Sequence, residues 1–492
     1  MRHAATPQPA APDRNRSLSP LRSPGRSLIV LLIAAALLAP PARADEAARS
    51  FTIAAAGDVL IHSRLADLAA RNAAEPGQWD FWPMLQSIEP WVSAADFSIC
   101  HLESVLSSDN SGLSYYPRFV APNQIADALA AAGWDACSTA SNHALDGGFK
   151  GVESTLSELD ARGIGHSGTA RSIGEQLPTL YEVNGTTIAH LSFSQHFNGI
   201  LAPVDQPWAA NQIDVETILS EARGARAQGA EFVVLSLHWG TEYTSNPIGY
   251  QYAIAESVLS DPAVDLILGH HAHVVEPIGM IDGKYVAYSM GNHVSNQHPA
   301  WGPKYYATNE GQLLFFYVVD GPAGLVVDHI EVVPTWVRVD DLQVFAAQDA
   351  LALGIEPEWT LTRSIERTME RTLRLDAAGV ALATDPWPEI SCTGMRATIL
   401  GSNLNDVLIG TDGHDVIVGR SGNDVIRAGS GDDTVCGGQG DDRIDGGDGI
   451  DHIFGESGAD RLEGTGPINI LFGGPGDDTC LGRSVVVACE SS

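Results

Sequence analysis

Short apolar runs recur over roughly the first 290 positions of the chain: SFTIAAAG from Ser50, then FSIC, CSTA, TIAHLSF, EFVVLSLHWG, DLILGHH and YVAYSMG. Their length and their β-branched and aromatic content predict strands. Amphipathic stretches lie between them, at Asn123 to Ala132, Gly151 to Arg162, Asp214 to Gly229 and Gly249 to Ser260, and these predict helices. Strand alternating with helix is an α/β pattern, and in such sheets ligands gather beyond the carboxyl ends of the strands. From Asp340 to Trp387 the spacing of Leu351, Ile355, Trp359, Leu361, Ile365 and Leu373 is helical and no motif appears. The proline-rich DPWPEISC next to it predicts a boundary.

Beyond it the period changes to nine. From Gly410 the chain reads GTDGHDVIV, GRSGNDVIR, AGSGDDTVC, GGQGDDRID, GGDGIDHIF and GESGADRLE, extended by GSNLNDVLI before it and by GTGPINILF and GGPGDDTCL after it. Good units place glycine fourth, aspartate sixth and an apolar residue eighth. The sixth position holds Asp406, Asp415, Asp424, Asp433, Asp442, Asp451, Asp460 and Asp478. Glycine permits a tight positive-φ turn, the carboxylate supplies oxygen to a hard cation, and the apolar residue fills the inside of a coil. Gly401 to Leu481 carries 16 acidic residues against 4 arginines, so stacked coils need a cation between their aspartate rows. The pattern resembles the hemolysin-type (RTX) calcium-binding nonapeptide, which implies a parallel β-roll ordered by Ca²⁺.

The first residues form a separate unit. Arg14, Arg16, Arg22 and Arg26 precede the apolar stretch Leu28 to Leu38 and an Ala42-Arg43-Ala44 site, which reads as a secretory signal peptide cut after Ala44. The mature protein is then expected outside the cytoplasm, secreted, with no stable membrane span. A formal net charge of −33 argues against nucleic acid as a partner. Of six cysteines, Cys392, Cys436, Cys480 and Cys489 suit two disulfides of unspecified pairing in an exported chain, whereas Cys100 and Cys137 read as core thiols.

In the first region the chemistry lies in the residues just past each strand. The segments are GDVLIH with Asp58 and His62, HLESVL with Glu103, SNHALDGG with Asn142, His143 and Asp146, and LHWGTEY with His238, Trp239 and Glu242. GHHAHV and SMGNHVSNQ, with Asn292 and His293, complete the set. Carboxylate, amide oxygen and imidazole at six strand ends suit two divalent ions, of the Mn, Fe or Zn type, with a bridging carboxylate between them.

This ordered set resembles the CapA family, linked to poly-γ-glutamate capsule synthesis and related to the calcineurin-like metallophosphoesterases. The resemblance implies a four-layer α/β/β/α sandwich with a dinuclear metal site. It implies metal ligation by Asp58, Glu103, Asn142, His238, His271 and His273, and proton donation by His143. The phosphoesterase pattern carries histidine two residues after the first aspartate, where this chain has Leu60, with His62 four residues on. Glu103 stands where the pattern has a bridging aspartate.

Supporting roles fall to His62, Asp146, Glu242 and Asn292: Asp146 as partner of the site or cap of the next helix, Glu242 as orienter or helix N-terminal charge. Trp239 is expected in the site wall, and His166, His190 and His196 as structural. His293 is given a minor role, and His270 is expected to be dispensable. The chain divides into a signal peptide over 1–44, a CapA-like domain over 48–340, a helical segment and linker over 341–390, and a calcium-binding roll over 391–492. The expected activity is metal-dependent hydrolysis of a phosphoester or amide bond in an anionic polymer or a small phosphoester. The alternative is a non-catalytic part in capsule polymer assembly, export or retention.

Overall fold

The computed structural model describes residues 49–489, except 323, 353–354, 384–390, 394, 402–403, 412, 467–468 and 483–484. The expected signal peptide and most of the proline-rich boundary lie outside the described residues.

All seven apolar runs form strands, but they divide between two sheets. In the first, Ser50–Val59 lies parallel to Phe97–Leu102, which pairs with Ala136–Ser138 and then Gly165–Ser167. On the other side of Ser50–Val59 comes the long antiparallel pair Glu310–Gly321 and Gly324–Val337. The second sheet runs Ile278–Ile281, Lys284–Ala287, Leu266–His270, Phe232–His238, Thr186–Ser194, Thr179–Val183. Between the sheets Phe51, Ile53, Ala55, Phe97, Ile188, Phe232, Val234 and Leu266 form one buried core.

The helices Ile125–Ala131 and Gly148–Ala161 cover the outer face of the first sheet. Val215–Ala227 and Gly249–Leu259 cover the outer face of the second, through Ile218, Ala222, Val258 and Leu259. This is the four-layer α/β/β/α sandwich. The donors expected at the strand ends therefore come from two sheets whose carboxyl ends open at the same end of the sandwich.

The segment read as purely helical contributes to the first sheet as well. Helices Ala347–Ala352 and Glu358–Thr372 pack on it, and strands Val344–Ala346 and Val380–Leu382 pair with Gly324–Val337. Trp359, placed on the apolar face by spacing, is 75% exposed.

The cysteine expectation needs one correction. Cys100 and Cys137 are not free thiols: they face each other in register on adjacent strands and form a disulfide. Cys392 pairs with Cys436 and Cys480 with Cys489.

The nonapeptides fold as a two-sheet parallel roll in which residue i pairs with i+18, as Val416 with Thr434 and Val425 with Arg443. One coil is therefore two nonapeptides. The eighth-position residues Ile417, Ile426, Val435, Ile444, Ile453, Leu462, Leu471 and Cys480 form its buried core. Fourth-position glycines Gly422, Gly431, Gly440, Gly449, Gly458 and Gly476 have φ between 122° and 155°. A Cβ at Gly449 would lie 1.7 Å from the Gly431 carbonyl oxygen one coil below, so both φ and stacking demand glycine there.

Candidate metal centre

Asp58, Glu103, Asn142, His238, His271 and His273 are drawn from a stretch of 216 residues and lie together, all buried, where the two sheets open. Three overlapping groups of ligand atoms, each within 4.8 Å of one another, can hold an ion: Asp58 with His101 and His238, Glu103 with His238 and His271, and Asp58 with Glu103 and His273. Asp58, His238 and Glu103 each serve two groups, as a site for two adjacent ions requires.

The local backbone shows why these residues stand here. Asp58 ends a strand whose amide donates to Gly291 O at 2.9 Å. The approach is possible only because Gly57 has no side chain, since a Cβ there would lie 2.0 Å from that oxygen. His271 and His273 have φ of 89° and 56°, a left-handed conformation that costs a side-chain-bearing residue about 1–3 kcal/mol. The strained loop is held by His271 N–H donating to the Asp58 carboxylate at 3.3 Å and by Tyr243 N–H donating to Ala272 O at 2.7 Å.

Around these donors the supporting contacts are specific. His273 Nδ1 lies 3.0 Å from both Asn292 Oδ1 and Asp58 Oδ2. His238 Nε2 lies 3.1 Å from Asn142 Oδ1 and 3.8 Å from Glu103 Oε1. Both Glu103 oxygens, both His270 nitrogens and His271 Nδ1 are buried without a hydrogen-bond partner among the described residues. Buried polar atoms left unpaired are costly, and here they are metal-ligand types aimed at one point. The residues thus fit a pair of divalent ions.

Electrostatics agrees. Burial pushes His271 down to about 3 and lowers His101 and His238 strongly, so all three are neutral imidazoles, and of these His271 and His238 can turn a nitrogen to a cation. Burial raises Glu103 well above the carboxylate range, His273 opposing the rise and the nearby carboxylates adding to it. His273 goes the other way, to about 9, because Glu103 and Asp58 outweigh its own burial. Burial also opposes ionisation of Asp58, but His270 and His273 hold it below the usual range.

Sequence reasoning set aside one histidine that lies against the cluster and missed another. His270, expected to be dispensable, lies 3.4 Å from Asp58 Oδ1 and stacks on His101 with ring centroids 4.0 Å apart. It ends the strand that leads into the strained loop and turns its ring into the cluster. His101, inside HLESVL, drew no expectation, because strand alternation says nothing about which rings will meet across two sheets. Its Nε2 lies 2.9 Å from His238 Nδ1 and its Nδ1 2.7 Å from Ser138 Oγ. With His238 Nε2 turned to a metal, His238 Nδ1–H donates to His101, whose Nδ1–H donates to Ser138; the chain fixes both tautomers.

His143 sits at the mouth, its Nδ1 2.6 Å from Asp146 Oδ2, which also accepts Phe119 N–H at 2.7 Å. Of the two readings of Asp146, partner and cap, the geometry is that of partner. His62 is buried beside Phe119, and burial pushes it down to about 3. Glu242 is exposed in a turn seven residues ahead of the Gly249–Leu259 helix, so it is no helix N-terminal charge; it faces the ligand loop and raises His273 and Tyr243. His196, expected to be structural, brings its ring to 5.4 Å from that of His271. Trp239 packs the wall and donates Nε1–H to Tyr288 O at 3.0 Å; His293 turns away onto Trp134.

In the roll, each sixth-position aspartate from Asp424 onward accepts through Oδ1 the amide of the sixth residue one coil earlier, as Asp442 Oδ1 does from Asp424 N–H at 2.8 Å. Oδ2 of Asp424, Asp433, Asp442, Asp451 and Asp460 is buried without a hydrogen-bond partner among the described residues. Burial and like-charged neighbours push Asp424 and Asp442 up to about 7. Rows of orphan carboxylate oxygens fit Ca²⁺. Asn469 fills the sixth position of the degenerate unit and keeps the ladder, accepting Asp451 N–H at 2.8 Å.

Sheet order and cluster together define a metallophosphoesterase-type sandwich joined to a calcium-binding roll. More particularly, the chain belongs to the family described as bacterial capsule synthesis protein PGA_cap, which it matches over residues 52–297. Residues 400–435, 437–466 and 457–484 match the RTX calcium-binding nonapeptide repeat. The chain is similar to the PGA biosynthesis protein CapA of Bacillus subtilis, 34% identical over 32% of this chain and 42% of that one. It is also similar to the capsule biosynthesis protein CapA of Bacillus anthracis, 25% identical over 50% and 60%. It therefore spans less than two thirds of either relative.

A probable polyglutamine synthesis accessory protein of Mycobacterium tuberculosis is 24% identical over 64% of this chain and 83% of its own. Among solved structures, Haemophilus influenzae NAD nucleotidase aligns at 13% identity and a TM-score of 0.35, covering 68% and 64%. A calcineurin-like phosphoesterase from Bacillus subtilis aligns at 14% and 0.36, covering 66% and 98%. At these scores the fold assignment rests on the sheet order alone. Among the described residues no helix is long and apolar enough to cross a membrane.

Proposed function

We propose that this protein is an exported, metal-dependent hydrolase that cleaves an amide or phosphoester bond in an anionic surface polymer such as poly-γ-glutamate. The observation that carries the reading is the buried convergence of Asp58, Glu103, Asn142, His238, His271 and His273, with unpaired ligand atoms on Glu103 and His271, beside the His143–Asp146 pair. Bound ions would polarise the scissile bond and lower the pKa of an attacking water. The chain's own groups do the rest. Asn292 and Asp58 hold His273 in place, His101 holds His238, and His143, oriented by Asp146 through Nδ1, presents Nε2 to donate a proton to the leaving group. The signal peptide over 1–44 delivers the chain to a calcium-rich exterior, where the roll over 391–492 folds.

The test is turnover of γ-glutamyl and phosphoester substrates by the manganese- or zinc-loaded protein, with His143→Ala as control. Loss of turnover with metal content unchanged supports the reading, and a His143→Ala protein as active as the parent rules out the proton donor. A second reading, a non-catalytic part in polymer assembly, is favoured by the descriptions of the relatives as biosynthesis and synthesis accessory proteins. Intact metal binding without turnover, together with a retained leader on N-terminal sequencing, would favour it.

A further inference from the structure

Rings line the mouth of the metal centre in one continuous arc. From His273 it passes to Tyr243 at 5.7 Å between ring centroids, to Tyr305 at 4.9 Å, to Trp301 at 5.4 Å and to His62 at 6.1 Å. It continues to Phe119 at 5.2 Å and ends at His143 at 4.6 Å. The arc thus joins a candidate metal ligand to the candidate proton donor. On it rests Lys304, whose Nζ lies 5.1 Å over the Tyr243 ring and 4.7 Å over the Tyr305 ring.

Lys304 is one of only three lysines in a chain of net charge −33, and it is exposed. Among the described residues it forms no ion pair: two tyrosine faces hold it instead of a carboxylate. Its platform is wired to the metal centre. Tyr243 hydroxyl accepts from Gln297 Nε2 at 3.3 Å, Gln297 Oε1 accepts from Asn292 Nδ2 at 3.2 Å, and Asn292 Oδ1 meets His273 at 3.0 Å.

We propose that Lys304, seated on Tyr243 and Tyr305, is a subsite for a second anionic group of the substrate, one carried beyond the bond at the metal centre. The inference rests on the hydrolase reading for its first subsite and adds the second. A cation already held over two rings loses little freedom when it meets a carboxylate, and ring faces beside it accept the methylene stem of that carboxylate. A γ-linked glutamate chain offers this combination of repeated carboxylates on short aliphatic stems. Glu242 flanks the same Tyr243 ring and opposes an incoming anion, so the two residues should have opposite effects.

The experiment uses the full chain loaded with calcium and manganese. Calorimetry measures binding of a defined γ-linked glutamate oligomer, of its α-amidated neutral analogue, and of adenosine monophosphate. Lys304→Ala should weaken the glutamate oligomer about fivefold, the upper end for a solvent-exposed charge pair. Lys304→Arg should restore it, Glu242→Gln should strengthen it, and the amidated oligomer should bind parent and variant alike.

Equal binding of the glutamate oligomer by parent and Lys304→Ala overturns the subsite. So does an equal loss for both oligomers, which would make the lysine merely structural. A lysine dependence found only with adenosine monophosphate overturns the polymer assignment. Turnover is scored separately: lysine-dependent binding without cleavage sinks the hydrolase reading and leaves the subsite standing.

Discussion

The sandwich assembles its candidate metal site from residues 58 to 273, contributed by two sheets, whereas the roll repeats an aspartate every ninth residue and lets stacking bring the carboxylates together. Both regions bury unpaired ligand oxygens or nitrogens, at Glu103, His270 and His271 in one and at Asp424 to Asp460 in the other. They differ in what holds those atoms there. Around the sandwich site a large apolar core and paired strands keep the donors converged before any ion arrives. Each coil of the roll buries only two eighth-position side chains between its sheets, against a row of carboxylates among which burial and mutual repulsion push Asp424 and Asp442 up to about 7. Preorganisation thus comes from hydrophobic burial in the sandwich, and in the roll it is expected to depend on the cation.

Removing calcium should have the largest effect. With a chelator selective for Ca²⁺, residues 391 to 492 should lose their β signal and become protease-sensitive, while the sandwich keeps its own melting transition. Circular dichroism with limited proteolysis reads this, and a roll that stays folded without calcium would erase the contrast.

Next come the histidines of the sandwich. His271→Ala and His270→Ala should both deplete bound metal, measured by elemental analysis, with the domain's far-ultraviolet spectrum retained. An unchanged metal content in His270→Ala would return that residue to the bystander role its sequence position suggests. His101→Ala, which removes a support rather than a ligand, should weaken metal binding by about 10–100-fold. A titration showing no change would remove His101 from the site.

Smaller, and opposite in sign to most acidic proteins, is the pH response of the calcium-free roll. Folding raises Asp424 and Asp442 from the carboxylate range to about 7, so the folded roll binds more protons than the unfolded chain between those values. Its stability should therefore fall as pH rises from about 4 to 7. Circular dichroism of the calcium-free chain should show more residual β signal from the roll at pH 5 than at pH 8, and saturating calcium should abolish or reverse the ranking, since the ion favours ionised aspartate.

How much of this is legible along the chain differs between the regions for the same reason. The roll is legible almost residue by residue, since period nine assigns glycine, aspartate and apolar residue to turn, row and core without any distant contact. Even so, Asn469 in the degenerate unit escapes the pattern, because an amide continues the ladder where an aspartate is sought. In the sandwich the strands and most donors are legible at strand ends, where a polar residue after an apolar run is conspicuous. His101 is not, because it lies inside its strand and acquires a role only when the second sheet brings His238 to 2.9 Å. Nor is the Cys100–Cys137 pairing, which depends on the register of two strands 37 residues apart.

By itself, the order of residues determined the α/β pattern of the first region, the calcium roll of the second, and the set of imidazole, carboxylate and amide groups available to bind metal. Tertiary structure alone decided which strands fall in which sheet, and that His270 and His101 lie against the cluster while His293 leaves it. It alone placed Lys304 over two tyrosines at the mouth. The reason is physical: periodicity reports on neighbours one turn or one coil away, whereas metal and substrate contacts are made across sheets, where only the packed core sets the distances.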